Sequence, residues 1–338
     1  MIHNAARRRL VLCVLLILAL GSCLILQRGF MPIRVSLSSS AAALPPQVPT
    51  VAIAPVSTRI AIDPIGTPIG MLALRTSSIQ EGTIASVFLQ QDVPFRIYVP
   101  PEYDAPENAR RAYPVLYLLH GAPGGYRDWT DAAGLQSTAD QLIAQGVLPP
   151  LLIVTPDGNY GALGDSQWVN GNTAAGFGRV EDFVVDEALP AIDQRYRTIA
   201  DRAHRAIGGL SAGAYGAFNI AVRHPELFSI VAIHSGFYRA QPIDDGTDLF
   251  EGNQTEQDAN SPIEHLDDVA APVALAIYFD VGRADPWFVD DAEELDQALT
   301  ARGIPHEFHE FAGGHTWAYW SAHVTNALRF VGAHLPHA

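Results

Sequence analysis

The sequence predicts an α/β fold: a mostly parallel, twisted sheet with helices on both faces. Three observations predict it. Short, almost wholly apolar runs recur along the chain, as strands buried on both faces require. Segments with helical spacing alternate with them, which is the order of a parallel sheet crossed by helices. The glycine-rich and polar motifs fall where those runs end, and ligands on such sheets bind at the carboxyl ends of strands. The chain has 338 residues, 48% of them hydrophobic, which suits one large domain with an appendage.

In order, residues 83–90 and 93–99 read as two strands joined by a hairpin at Gln91-Asp92. Residues 104–111 form a polar loop, and 114–119 form a continuous apolar strand. That strand ends in His120-Gly121-Ala122-Pro123-Gly124-Gly125, a flexible turn. Residues 132–145 read as a helix, and 151–155 as a second buried strand running into Pro156-Asp157-Gly158. Residues 180–196 are a long amphipathic helix, with a kink expected at Pro190. A short strand at 203–207 leads into a helix at 212–224, where Ala214, Phe218, Ala221 and Val222 share a face. His224-Pro225 closes that helix, because a residue before proline avoids helical angles. Strands at 230–234, 273–279 and 307–311 follow, and a helix at 317–335 ends the fold.

The amino-terminal end reads as a targeting segment. Arg7-Arg8-Arg9 precedes an apolar run at 10–26, the pattern of a positive region followed by a hydrophobic one. The run has the minimum length for a spanning helix, and arginines on its amino side would leave the body outside the cytoplasm. An uncleaved anchor is the expectation. Leu20-Gly21-Ser22-Cys23 also resembles a lipobox, so a lipidated or cleaved form stays open. The expected organisation is a signal or anchor at 1–29, a Ser-, Ala- and Pro-rich linker at 30–60, and one domain at 61–338.

Charge narrows the partners. The first acid is Asp63, and the residues from there onward hold 15 arginines against 36 acids, a net charge of −21. Such a body argues against nucleic acid as a partner and limits membrane contact to the N-terminal segment. Both cysteines, Cys13 and Cys23, lie in that segment, so the body has no disulfide. No metal-ligand cluster stands out, and Gly208-Gly209 lacks the pattern of a dinucleotide site, so neither metal nor cofactor is implied. Asn253-Gln254-Thr255 is a glycosylation sequon.

One motif carries chemistry. Gly209-Leu210-Ser211-Ala212-Gly213 reads G-x-S-x-G, the elbow that holds a serine on a sharp turn between strand and helix. The turn passes through a strained conformation, which explains the small residues around Ser211. A serine hydroxyl is a poor nucleophile alone. It needs a base, a group to orient the base, and donors for the developing oxyanion. The expected chain order is serine, acid, histidine.

Eight histidines follow the serine's helix, and only His315 sits in a glycine-rich loop after the last strand, in Gly313-Gly314-His315-Thr316-Trp317. His234 and His265 come before the strand that should carry the acid. For the acid, Asp285 lies beyond the glycine turn of Asp280-Val281-Gly282-Arg283-Ala284-Asp285 and is preferred. Asp280 is second and reads as a cap of that turn, while Asp290 and Asp291 read as solvated-face residues. The oxyanion donors are assigned to the N–H groups of Ala212, next after the serine, and Ala122, in the turn after His120-Gly121. All five tryptophans fall near these loops, and Trp129, Trp168, Trp287 and Trp317 are the candidates for an aromatic rim that stacks on a sugar or aryl group.

These residues resemble a known family, the esterases that group esterase D, the feruloyl esterases and antigen 85. The resemblance spans residues 95–330. It is carried by Tyr113-Pro114-Val115-Leu116-Tyr117-Leu118-Leu119-His120-Gly121, Asp128-Trp129, the serine motif, Arg223-His224-Pro225-Glu226-Leu227-Phe228, Gly282-Arg283-Ala284-Asp285 and Gly314-His315-Thr316-Trp317. It implies an α/β-hydrolase fold with a Ser-Asp/Glu-His triad, which falls on Ser211, Asp285 and His315. Members cleave esters of acetylated or feruloylated xylan, siderophore esters and S-formylglutathione, and some transfer mycolyl groups. The N-terminal segment departs from the cytosolic S-formylglutathione hydrolases and favours an extracytoplasmic ester. Ala212 and Ala214 stand where many relatives carry Met and Gly, which reshapes the acyl pocket. The expectation is therefore an exported, membrane-tethered serine esterase acting on small-molecule or glycan-linked esters. An acyltransferase with the same triad and a non-catalytic carbohydrate-binding module are the rival readings.

Overall fold

The computed structural model describes residues 76–159, 164–243, 246–269 and 274–336. The expected signal or anchor, the linker and Cys23 lie outside the described residues. Among the described residues, no helix is long and apolar enough to cross a membrane.

Eight strands form one sheet: β1 (Ser78–Ser86), β2 (Gln91–Val99), β3 (Val115–Leu119), β4 (Leu152–Pro156), β5 (Arg205–Leu210), β6 (Ile230–His234), β7 (Ala276–Gly282) and β8 (His306–Phe311). Their order across the sheet is β1-β2-β4-β3-β5-β6-β7-β8. β1 and β2 are antiparallel, β2 meets β4 antiparallel, and every pair from β4 to β8 is parallel.

The central strands are buried on both faces, and the twofold alternation of a strand sorts their side chains. Along β3, Val115, Tyr117 and Leu119 enter one core with Phe218 and Ile192, while Leu116 and Leu118 enter the other with Leu142 and Val324. The first core lies under α2 (residues 180–195), α3 (Ala212–Arg223) and α4 (Val289–Ala301); the second lies under α1 (Leu135–Ala144) and α5 (Trp317–His334). Continuous apolar runs in the sequence are thus two interleaved sets of core residues.

Bounds shift by a few residues in several elements: the strand expected at 203–207 runs Arg205–Leu210, and the helix expected at 132–145 runs Leu135–Ala144. Three further differences matter more. The first hairpin turns at residues 87–90, not at Gln91-Asp92, with Ser86 opposite Gln91. Leu89 leaves the ladder for the core, and Ser86 Oγ accepts its N–H at 2.9 Å. Glu187 accepts the Val87 N–H at 2.7 Å. An apolar residue in a turn therefore imitates a strand.

The helix α2 is uneven along its length. It runs Val180–Asp182, then a wide-turn segment Phe183–Ala188 of π geometry, then Leu189–Arg195. Pro190 has no N–H and cannot close the usual bond to the preceding turn, and the widened turn ahead of it accommodates this.

β7 begins at Ala276, later than expected, and continues through Asp280 to Gly282 opposite Phe311. Asp280 is consequently inside the strand and does not cap the turn.

Candidate active site

Ser211 sits between β5 and α3 with φ 55° and ψ −123°, a conformation that L residues rarely adopt. Its N–H is held by the His234 carbonyl at 3.0 Å. The elbow closes only because its flanks lack side chains. A Cβ on Gly213 would collide with the carbonyl oxygens of Leu119 and His120, and one on Gly209 would collide with the backbone of Gly213. Packing of the first turn of α3 against β3 and β5 therefore determines where the hydroxyl points.

The base and the acid arrive from neighbouring strands. After β7 and β8 the two loops are knitted together: Arg283 N–H donates to Phe311 O and Ala284 N–H to Gly313 O, both at 2.8 Å. This places His315 between Asp285 and Ser211. His315 Nδ1 donates to Asp285 Oδ2 at 2.8 Å, and His315 Nε2 lies 3.0 Å from Ser211 Oγ. Asp285 is 1% exposed, and its Oδ1 accepts the N–H groups of Trp287 at 3.0 Å and Phe288 at 3.2 Å. Burial pushes the carboxyl pKa upward. The hydrogen bond from His315 and the two backbone donors outweigh it, so Asp285 is held below the usual carboxylate range. A charged carboxylate fixes the tautomer with the proton on Nδ1, leaving Nε2 free to accept the serine proton. Trp287, Phe288 and Trp320 surround the imidazole with ring centroids at 5.0, 5.2 and 4.8 Å.

Ala212 is the first residue of α3, where N–H groups have no partner within the helix. Ala122 packs against the cluster that contains Ala212, Tyr215 and Phe237. The preceding Gly121 lies against the serine: a Cβ there would be 3.1 Å from Ser211 Cβ. Both assigned oxyanion positions therefore border Ser211.

The turn that carries Ala122 is held by side chains. Gly158 N–H donates to His120 Nε2 at 2.9 Å, so the His120 proton is on Nδ1, facing Gly121 O at 2.8 Å. Burial lowers the His120 pKa, which keeps this neutral arrangement. Trp168 Nε1 donates to His120 O at 3.0 Å, Trp129 Nε1 to Leu119 O at 3.1 Å, and Asn159 Nδ2 to Gly124 O at 2.7 Å. His120 as a strut escapes a reading of the sequence, although its place at the end of a buried strand is a signal for it.

The aromatic rim needs correction. Trp129 is 0% exposed and Trp168 2%, and both spend their indole N–H on backbone carbonyls beneath the turn. They brace the site and do not line its mouth. Trp287, at 62% exposed, and the half-buried Trp317 remain at the surface near His315. Asp290 is exposed, as a solvated face expects, but Asp291 is largely buried, and desolvation raises its carboxyl to about 6. Other described histidines bond elsewhere: His234 to Asp280, His306 to Asp296 and His309 to Glu307. Among the described residues, no group of three or more His, Cys, Asp or Glu side chains is arranged to hold a metal.

With this geometry in place, comparison with known proteins is decisive for the family. The family model described as "Putative esterase" matches residues 86–331. The chain belongs to that esterase family. An esterase of Mycobacterium tuberculosis is 28% identical over 256 residues, covering 65% of this chain and 52% of the relative. The chain thus spans about half the length of that curated relative. An endo-1,4-beta-xylanase/feruloyl esterase of Xylanibacter ruminicola is 33% identical over 146 residues, 41% of this chain and 19% of the other. Among solved structures, a ferulic acid esterase superposes with a TM-score of 0.69 at 29% identity, covering 77% of this chain and 99% of that one. The fold is that of the α/β hydrolases.

Proposed function

We propose that this protein is a serine carboxylic ester hydrolase that works through an acyl-enzyme. The observation that carries the reading is the run of contacts Asp285–His315–Ser211, at 2.8 and 3.0 Å, ending on a strained serine. His315 Nε2 takes the proton of Ser211 as Oγ attacks the ester carbonyl, and Asp285 stabilises the imidazolium. N–H groups of Ala212 and Ala122 receive the oxyanion. His315 then gives its proton to the leaving alcohol, and a water activated by the same nitrogen releases the acid.

The substrate class follows from the surroundings. Exposed Trp287 and half-buried Trp317 offer aromatic surface near His315, which suits a sugar or an aryl group on the ester. The feruloyl esterase name of one relative supports the same class. The N-terminal pattern supports an extracytoplasmic site of action, with the body tethered through residues 1–29.

Hydrolysis of p-nitrophenyl acetate by the full chain, wild type beside Ser211→Ala, tests the chemistry, with fluorophosphonate labelling of both. The expected result is turnover and labelling by the wild type, with a loss on the order of 10⁴–10⁶ in kcat and no label in the variant. Equal rates in the two proteins would rule out Ser211 as nucleophile.

A further inference from the structure

A second aspartate–histidine pair lies behind the site, and the chemistry above makes no use of it. Asp280 in β7 and His234 at the end of β6 are each 1% exposed. Asp280 Oδ2 accepts from His234 Nδ1 at 2.8 Å and from Tyr278 OH at 2.7 Å, and Oδ1 accepts from Tyr319 OH at 2.7 Å. Burial, and then the charge of Asp280, push the Tyr278 and Tyr319 hydroxyls upward, so both stay protonated donors. A carboxylate in this setting is tolerable only while its donors stay in place.

We propose that Asp280 is a positioning residue for the triad, acting through Tyr319 and His234 without touching substrate. The inference rests on the esterase reading. Tyr319 stands in the first turn of α5, just beyond His315, and its N–H is capped by Thr316 Oγ1 at 3.3 Å. Its ring fills the space beside Gly313, where a Cβ would lie 2.8 Å from Tyr319 Cδ2. The next residue, Trp320, stands edge-on to the His315 ring and donates its indole N–H to Ser235 Oγ at 3.2 Å. The Tyr319 hydroxyl bond therefore sets where the base loop rests.

On its other side the pair reaches the nucleophile. The His234 carbonyl accepts the Ser211 N–H, and the Asp280 carbonyl accepts the Ser235 N–H at 2.7 Å. Asp280 thus ties β6, β7 and α5 together, and those three elements carry the support of Ser211, the strand leading to Asp285, and the helix that anchors His315. Loss of one bond at this carboxylate moves the imidazole relative to the hydroxyl while leaving the substrate-facing surface intact. Small displacements of a base cost rate more than binding.

The test compares full-chain wild type, Asp280→Asn, Tyr319→Phe and the double variant on p-nitrophenyl acetate, with Ser211→Ala as the blank. Assays run below the melting transition of each protein. Expected are KM values within about twofold of wild type, kcat lowered about 10–100-fold in Asp280→Asn and less in Tyr319→Phe, and a double variant no slower than Asp280→Asn. A purely structural role would lower the melting temperature without splitting kcat from KM. Should Asp280→Asn fail to fold, Tyr319→Phe decides alone. Folded variants with kcat within about twofold of wild type, or with losses that multiply in the double variant, would overturn the inference by itself. A wild type that neither turns over nor labels would overturn the esterase reading, and this inference with it.

Discussion

Two aspartate–histidine pairs stand at the carboxyl end of the sheet with the same 2.8 Å contact, and their aspartates are five residues apart on one strand exit. Asp285 lies past the Gly282 turn and bonds a histidine whose other ring nitrogen faces Ser211. Asp280 lies before that turn and bonds a histidine enclosed at 1% exposure. Chemistry needs a free lone pair and access; a good hydrogen bond between acid and base is not sufficient. A third carboxyl, Asp291, bonds no histidine among the described residues. Burial is then its largest influence, and its carboxyl rises to about 6, while that of Asp285 is lowered. Partners, more than depth, separate Asp285 from Asp291.

The largest test of that contrast is Asp285→Asn. The amide keeps the shape but no longer stabilises an imidazolium, and kcat is expected to fall on the order of 10³–10⁴, measured on p-nitrophenyl acetate. A loss no greater than that of Asp280→Asn would mean that the roles of the two pairs have been assigned wrongly.

Trp287 sharpens the contrast from the surface, because it is exposed and stands edge-on to His315, whereas Trp129, the tryptophan beside His234, is fully buried. Trp287→Ala is expected to raise KM about 3–10-fold for esters of sugars or phenols, while methyl esters of the same acid change little. Unchanged KM values across all these esters would remove Trp287 from the substrate site.

Asp291→Asn carries the smallest effect, and it falls on stability. A carboxyl raised to about 6 in the folded protein binds its proton more tightly there than in the unfolded chain. Its stabilising contribution is whole below the ordinary carboxylate value near 4 and is lost as pH rises through about 6. The charge buried above that pH costs about 1–3 kcal/mol, so the asparagine variant should melt a few degrees higher at pH 7.5. Near pH 4 the two proteins should melt together. Asp285 has the opposite sign: its contribution is present above the ordinary carboxylate value and lost as pH falls through its lowered one. Equal melting of Asp291→Asn and wild type at pH 7.5 would show that Asp291 is solvated.

Some of this is legible from the chain alone. Burial on both faces forces continuous apolar runs, so β3, β4 and β6 are visible within a residue. Ser211 is visible because only small residues fit around a turn with φ 55°. His315 and Asp285, which meet Ser211 in one run of contacts, are visible because they lie in the loops after the last strands. The glycine beside each marks where the chain leaves the sheet.

Long-range contacts decide the remainder. Whether Val87 to Gln90 is strand or turn depends on Leu89 reaching the core and on Glu187 reaching the turn. Trp129 and Trp168 lie near the same motifs as Trp287, yet two are braces and one is exposed, because only the packing beneath β3 offers carbonyls to their indoles. His120 as a strut leaves only its place at the end of a buried strand as a mark, and Asp280 leaves less, since Gly158, His234 and Tyr319 lie dozens of positions from the residues they bond. The sequence by itself determined the layered α/β architecture, the chain order of the candidate site residues and the elbow, because those follow from local sterics and from the period of burial. Only the tertiary structure decided which aspartate faces which histidine, since that choice depends on where distant strands end relative to one another.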